Sequence, residues 1–461
     1  MEGLKRRLEI KKAGINGEGI AYYRKKPVFI EGCFPDETVE CVLSDNGTYW
    51  RGRLLKTIKK SPDRIIPACS RQKVCGGCAL MSLDYKKQLE IKKQLLEEAL
   101  NKYASIDREL PDIVPSPDIL GYRNRCNMPV VSFKGKLVNA MYRQGTNSPA
   151  VIEDCPVQDK EVERIRKSIL DILNNHKCEA YSSKTKKGIR QFVIRGFDDE
   201  YQAVLVTGDD RLDKDMTDEI GNIPKVVCLY QCINTRKETR DIFDGKMKLL
   251  HGKEKILLDL DKFRMYLSPE AFFQLNRKQA ERIYSDVNSL IPSGCGKIVE
   301  AYCGTGAISF YLADKAGEII GIDIDKKAIG DAKENASLNG FTNIRFVCGD
   351  AGRTLKEILK KDEADALVID PPRSGIDDEL LQILKDSNIE NIVYVSCNPA
   401  TLAKNLKVLK EGYEVKYIQG YDMFPNTPLV EVVTLITRAG VETTELMQKR
   451  NKLTNQIIQG E

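Results

Sequence analysis

Apolar and polar positions alternate in short runs through the first sixty residues, at 8–10, 19–23, 27–30, 38–43 and 49–55. Gly, Pro and the Asp45-Asn46-Gly47 triplet separate them. A period of two with frequent turn residues predicts half-buried strands, and several such strands in a row predict a small β-barrel of about five strands. Residues 61–83 lose all periodicity and are rich in Pro, Gly and Cys. From 84 to 104 the period lengthens: Leu89, Lys92 or Lys93, Leu96 and Leu100 fall on one helical face, which predicts a long amphipathic helix packed on a neighbouring domain. Residues 115–258 read as strand-rich, with strands at 122–131, 136–142, 190–196, 203–207 and 226–234. From about residue 262, strand and helix patterns alternate, as a doubly wound parallel sheet requires. The last strand is expected at 430–437, and the polar tail 440–461 as a frayed helix.

A chain of 461 residues exceeds one hydrophobic core and points to two to four domains. With 42% hydrophobic and 30% charged residues it has a globular composition. Its apolar runs are broken by charges well before the ~20 residues of a membrane span. Met1-Glu2-Gly3-Leu4-Lys5-Arg6-Arg7 has no secretory apolar stretch behind it, so a cytoplasmic protein without a membrane partner is expected, acting as a monomer. The 14 cysteines are irregularly spaced, and many, such as Cys228 and Cys348, sit singly in apolar runs as small hydrophobes. A disulfide framework is not expected. Net charge is +5, and residues 1–60 alone carry 13 Lys and Arg against 8 Asp and Glu. That local excess points to a polyanionic partner. Tyr22, Tyr23, Tyr49 and Trp50, interleaved with Arg24, Lys25, Arg51 and Arg53, suit base stacking with phosphate contacts; barrel core is the alternative for about half of these rings.

In the alternating half, residues 298–301 end in Tyr302-Cys303-Gly304-Thr305-Gly306, a glycine turn that lets a nucleotide-like cofactor approach the backbone. About twenty residues on, a strand ends in Asp323, placed to take a ribose diol, and the next ends in Asp350. With no third glycine and no pyrophosphate pattern, S-adenosylmethionine fits better than a dinucleotide. A fourth strand ends in Asp370-Pro371-Pro372-Arg373, which resembles the motif that base methyltransferases place beside the substrate ring; its prolines fix φ and stiffen the loop. A fifth, 391–395, presents Cys397 in Ser396-Cys397-Asn398-Pro399 at its carboxyl end.

A thiol there suits methylation of uracil carbon 5, a poor nucleophile on its own. Addition of a thiolate to carbon 6 makes an enolate whose carbon 5 can take a methyl group. A base must then remove the carbon 5 proton. Cys397 is the candidate nucleophile. His176 and His251 both lie outside the alternating half, so a carboxylate is expected as base, and Glu431 in Leu429-Val430-Glu431 is the candidate. The amide of Gln274, in Phe272-Phe273-Gln274-Leu275-Asn276, can complement a uracil edge.

Cys69, Cys75 and Cys78 fall in one loop around Gly76-Gly77, and Cys155 in Asp154-Cys155-Pro156 is a possible fourth ligand. Four cysteines without a nearby histidine suit a [4Fe-4S] cluster, or zinc as second choice. Its role would be structural, tying distant segments together at an RNA surface.

These motifs together resemble the RNA (uracil-C5)-methyltransferase family over nearly the whole chain. Ser61-Pro62-Asp63-Arg64, Pro67-Ala68-Cys69, Gly121-Tyr122-Arg123-Asn124-Arg125, the Phe272 to Asn276 motif, Asp370-Pro371-Pro372-Arg373 and the segment from Ser396 to Leu402 carry the likeness. The resemblance implies three parts. They are an OB-like TRAM barrel at 1–58, a central β-rich RNA-binding domain at 59–83 and 115–258, and a Rossmann-like methyltransferase domain at 84–114 and 259–461. It implies that Gln274, Tyr302, Gly304, Gly306, Asp323, Asp350 and Asp370 line the cofactor site. Phe272, Gln274, Asp370 and Arg373 would meet the substrate, Cys397 would be the nucleophile and Glu431 the base. Cys69, Cys75, Cys78 and Cys155 match the cluster ligands. One segment departs: Asn426 and Leu429 stand where the family usually has histidines, which puts a histidine role in proton shuttling in doubt. A barrel together with a cysteine cluster implies 23S ribosomal RNA as partner. Transfer RNA, cytosine methylation by the same thiol addition, and a catalytically silent RNA-binding or assembly factor are the alternatives.

Overall fold

The structure is a computed structural model that describes residues 4–143, 146, 148–236 and 241–442. Most of the tail expected as a frayed helix lies outside the described residues.

Near-continuous apolar runs such as Ile319-Ile320 and Leu367-Val368-Ile369 are buried on both faces, as parallel strands covered by helices must be. They build a seven-stranded sheet in the order Ile344–Cys348, Ala316–Asp323, Cys295–Ala301, Ala366–Ile369, Asn391–Ser396, Glu431–Arg438, Tyr413–Tyr421. The first five strands are parallel. The last two run antiparallel to their neighbours. The order in which strands are added reverses between Cys295–Ala301 and Ala366–Ile369, the point at which such sheets open a crevice at the carboxyl edge. The expectation of an α/β doubly wound sheet is met.

One face of this sheet is covered from within the alternating half and its preceding hairpin, where Leu258, Phe263 and Val287 pack on Ile298, Val368 and Val433. The other face takes Leu96, Leu100 and Ala104 against Leu367, Leu402 and Leu406. Those three belong to the helix Tyr85–Ala104, which starts at Asp84, whose side chain accepts from the Lys86 N–H, and stops where Ser105 turns left-handed at φ 51°. Lys92, on the apolar stripe, is buried and ion-paired with equally buried Asp422.

Before this sheet lies another of seven strands, in the order Lys246–Gly252, Val226–Ile233, Glu200–Thr207, Ile189–Phe197, Arg125–Phe133, Lys136–Tyr142, Pro149–Val151. The strand-rich reading of 115–258 missed two helices here, Lys160–Asn175 and Lys214–Gly221. Val162, Ile165, Ile169, Ile172 and Leu173 repeat at helical spacing and fill the core beside the strands, so the period was present among the strand signals.

The first segment forms a six-stranded sheet, in the order Leu4–Glu9, Thr38–Asp45, Trp50–Lys59, Lys26–Ile30, Gly19–Tyr23, Lys12–Ala13. Val28, Ile30, Val39 and Leu43 form its core. Of the four aromatics read as stacking candidates, Tyr22 is exposed, while Tyr23, Tyr49 and Trp50 are half-buried. Tyr23 packs edge-on against Trp50 with ring centroids 5.6 Å apart, and Phe29 against Tyr49 at 5.5 Å. Among the described residues, no helix is long and apolar enough to cross a membrane.

Candidate active site

Each parallel strand delivers one sequence-flagged residue to the carboxyl edge. After Cys295–Ala301 the chain turns sharply, with Tyr302 at φ 64°, Gly304 at 53° and Gly306 at 88°. The two glycines differ in surroundings. A side chain on Gly304 would meet nothing within 4 Å, so its backbone faces open space. One on Gly306 would strike the Phe346 ring at 2.6 Å. Asp323 braces this turn: its Oδ2 accepts from the Gly304 N–H at 2.8 Å and its Oδ1 from the Asp325 N–H at 2.8 Å. Asp350 caps its own helix, Ala351–Leu359, accepting from the Arg353 N–H at 3.0 Å. Tyr302 is half-buried among Asp377, Asp350 and Asp323, and burial first, then those carboxylates, push its phenol up to about 12.

On the far side of the crevice, register decides the geometry. Tyr394, Val395 and Ser396 oppose Thr434, Val433 and Val432. Continued by one residue, that register sets Cys397 beside Glu431. Asn398 shapes the turn by accepting from the N–H groups of Ala400 and Thr401, with Pro399 at the helix start. The Asn398 amide and the Thr401 hydroxyl both donate to Arg373 O, at 3.1 and 3.2 Å, so the cysteine turn and the Asp370-Pro371-Pro372-Arg373 loop are one unit. Gly375 permits this approach, since a side chain there would strike Thr401 at 2.4 Å.

The electrostatics are those of a buried acidic site. Burial pushes the Asp370 carboxyl up to about 7. Glu431, only 3% exposed, is raised well above the carboxylate range by burial and then by Asp370, with Arg373 pulling the other way. The Cys397 thiol is pushed up to about 11 by burial, then by Glu431 and Asp370, and Arg373 again opposes. Phe272 stands 61% exposed. Next to it, Gln274 is half-buried and its backbone carbonyl accepts from the Asn124 amide at 2.9 Å.

Sequence reasoning missed a layer beneath these residues. Glu300, buried and hydrogen-bonded by Ser309, is pushed up to about 8, by burial first and with Asp370 and Asp323 adding to the rise. Tyr284 is buried close to Asp370, Glu300 and Glu431, and its phenol is raised. An acid in the otherwise apolar run Ile298-Val299-Glu300-Ala301 was the available signal.

Comparison with known proteins agrees with this geometry. The family described as tRNA (Uracil-5-)-methyltransferase matches residues 245–439. An uncharacterised RNA methyltransferase of Streptococcus pneumoniae is 36% identical over 94% of this chain and 97% of its own length. One of Halalkalibacterium halodurans is 35% identical over 94% and 96%. The chain belongs to the RNA (uracil-C5)-methyltransferase family. Among solved structures, the Pyrococcus abyssi tRNA (uracil-54, C5)-methyltransferase in complex with S-adenosyl-L-homocysteine is 28% identical. It superposes with a TM-score of 0.77, covering 94% of this chain and 99% of that one. This RNA (uracil-C5)-methyltransferase therefore uses S-adenosylmethionine and acts on RNA. The open backbone at Gly304 and the carboxylate of Asp323 fit such a cofactor.

The structure draws the four flagged cysteines of this methyltransferase together. Cys69, Cys78 and Cys155 pack against Met81, Tyr122 and Val157. Burial and then Cys155, Cys75 and Cys69 push the Cys78 thiol up to about 12, with Arg123 opposing. Burial likewise pushes Cys155 to about 11. The metal reading is not met as it stands: among the described residues, no group of three or more His, Cys, Asp or Glu is arranged to hold a metal ion.

Proposed function

We propose that this methyltransferase makes 5-methyluridine in 23S ribosomal RNA by covalent addition of Cys397, with Glu431 as base. The reading is supported by a strand register that ends one residue short of Cys397 and Glu431, and by the effect of Glu431 on the Cys397 thiol. Gly304, Gly306, Tyr302, Asp323 and Asp350 would hold S-adenosylmethionine, which would supply an electrophilic methyl group. Cys397 Sγ adds to carbon 6, and the ring's electron pair moves to make carbon 5 nucleophilic. Once carbon 5 carries the methyl, Glu431 takes its proton, the 5,6 double bond reforms and the carbon–sulfur bond breaks, returning the thiolate. Gln274 and Asp370 orient the ring, Phe272 covers the entrance, and Arg373 is the positive group that favours the charged forms of both Cys397 and Glu431. A uridine in folded RNA is stacked and must be extruded to reach this depth.

The TRAM-like first segment and the region before residue 259 supply the RNA grip in this reading, with the methyltransferase domain formed by 84–114 and 259–461. Cys69, Cys75, Cys78 and Cys155 would hold an iron–sulfur cluster that pins the 69–78 loop to the segment at 155. Mutual proximity of four thiols supports this donor set. Anaerobic purification should then give about four iron atoms per chain; zinc, or no metal, overturns it.

Transfer RNA is the second reading, favoured by the Pyrococcus abyssi neighbour, whose substrate is transfer RNA. Total RNA from cells lacking the gene separates the two. After incubation with the enzyme and S-adenosylmethionine, new 5-methyluridine in digested 23S RNA supports the proposal. New 5-methyluridine confined to transfer RNA moves the substrate, and none in any RNA removes the activity.

A further inference from the structure

Glu431 is reached through the loop 422–430, and that loop is strapped from outside the sheet. Asp422 pairs with Lys92 and accepts from the Tyr85 hydroxyl at 2.9 Å, while Lys92 also donates to Phe424 O at 3.0 Å. The Tyr122 hydroxyl donates to Pro425 O at 3.1 Å. Asn426 concentrates the strapping. Its N–H donates to Gln88 Oε1 at 2.8 Å and its Nδ2 to Ile119 O at 2.8 Å. Its Oδ1 accepts from Gln88 Nε2 at 3.4 Å, and its carbonyl accepts from the Leu80 N–H at 2.9 Å. Asn426 is 5% exposed and sits at φ 70°, a left-handed conformation that asparagine tolerates better than most residues.

The backbone N–H, the carbonyl and both carboxamide atoms of Asn426 each have a protein partner. We infer that Asn426 is a positioning residue for Glu431, holding the loop so that the carboxylate meets the carbon 5 proton. This rests on the thiol-addition reading above.

The approach to Glu431 carries a support from outside the sheet, in addition to the strands that place both groups. Cys397 is fixed from within the sheet domain, by Asn398 and Thr401 on Arg373 O. Glu431 opens the strand Glu431–Arg438 opposite Tyr421, and the loop that leads into it is held at Asn426 by residues far earlier in the chain: Leu80, Gln88 and Ile119. Proton transfer needs a base within hydrogen-bond reach, and an error of about 1 Å costs roughly 100-fold. Loosening Asn426 thus slows proton removal and thiolate departure while leaving addition and methyl transfer in place.

Asn426→Gly keeps the left-handed backbone and deletes the carboxamide; Gln88→Ala removes the opposing amide. Both are expected to lower kcat on unmodified RNA roughly 10- to 100-fold at similar KM. A denaturant-stable protein–RNA adduct carrying the transferred methyl should accumulate, and trapping by 5-fluorouridine RNA should proceed at the unchanged rate, since it needs no carbon 5 proton. Ordinary turnover without adduct overturns the inference. So does equal loss of trapping and of S-adenosylmethionine binding in both variants, which would make Asn426 a general support of the fold. Failure of the unsubstituted enzyme to trap the analogue removes the thiol mechanism itself, and this role with it.

Discussion

Cys397 and Glu431 come to the same edge of the sheet because an antiparallel strand enters it beside a parallel one, and burial at that edge raises the pKa of both. Glu431→Gln should leave adduct formation intact and stop release, so that methylated adduct builds up on ordinary RNA and turnover falls by at least roughly 100-fold. With the Cys397 thiol pushed up to about 11, thiolate is scarce at neutral pH. Trapping of 5-fluorouridine RNA should therefore accelerate with pH between 7 and 9, approaching about tenfold per unit where addition is rate-limiting. A flat profile would show that bound ligands supply the ionisation. Glu300 tests the buried layer differently. Its carboxyl rises from 4.5 to about 8 in the folded protein, so the folded state holds the extra proton. Its contribution to stability is present below about pH 4.5 and is lost as pH rises through about 8, with a limiting slope of about 1.4 kcal/mol per unit. Glu300→Gln should flatten the decline of the unfolding midpoint across that window. Asp323, Asp370 and Cys397 were legible from sequence because each ends an apolar run. The pairing of Cys397 with Glu431 was not, since register between distant strands leaves no local pattern.

The helix Tyr85–Ala104 shows what periodicity can and cannot carry. Leu96 and Leu100 announced its buried face, and the structure seats both in the sheet's core. Lys92 or Lys93 falls on that same face by spacing, which does not say what a lysine there would meet. Lys92 is buried against Asp422 and Phe424 O, because its partners arrive from more than three hundred residues away. Breaking such a pair from one side strands the other charge. Lys92→Met should cost roughly 3–5 kcal/mol of stability, and Lys92→Met with Asp422→Asn should recover much of it. Urea unfolding followed by tyrosine fluorescence would measure both; equal stability of all three proteins would contradict the role given to this pair. The helix Lys160–Asn175 is readable by the same rule, but its period lies among strand signals that mask it.

At the scale of the molecule, the basic excess of residues 1–60 and the convergence of four cysteines both lie outside the catalytic sheet. If the first segment grips phosphates, neutralising Arg24, Lys25, Arg51 and Arg53 should weaken RNA binding. The logarithmic dependence of affinity on salt should flatten by about 0.7 for each phosphate no longer neutralised on single-stranded RNA, with S-adenosylmethionine affinity unchanged. An unaltered salt slope would place the RNA elsewhere. Composition pointed to such a surface; it could not show that Tyr23 and Trp50 pack on each other. The central claim is covalent addition of Cys397, and one measurement addresses it most directly. The enzyme is incubated with 5-fluorouridine-substituted RNA and S-adenosylmethionine, the adduct is digested, and the modified peptide is identified by mass spectrometry. Fluorine cannot leave as a cation, so the linkage persists. The account predicts a single nucleotide-bearing peptide with the link at Cys397; no adduct, or one at another residue, would contradict it.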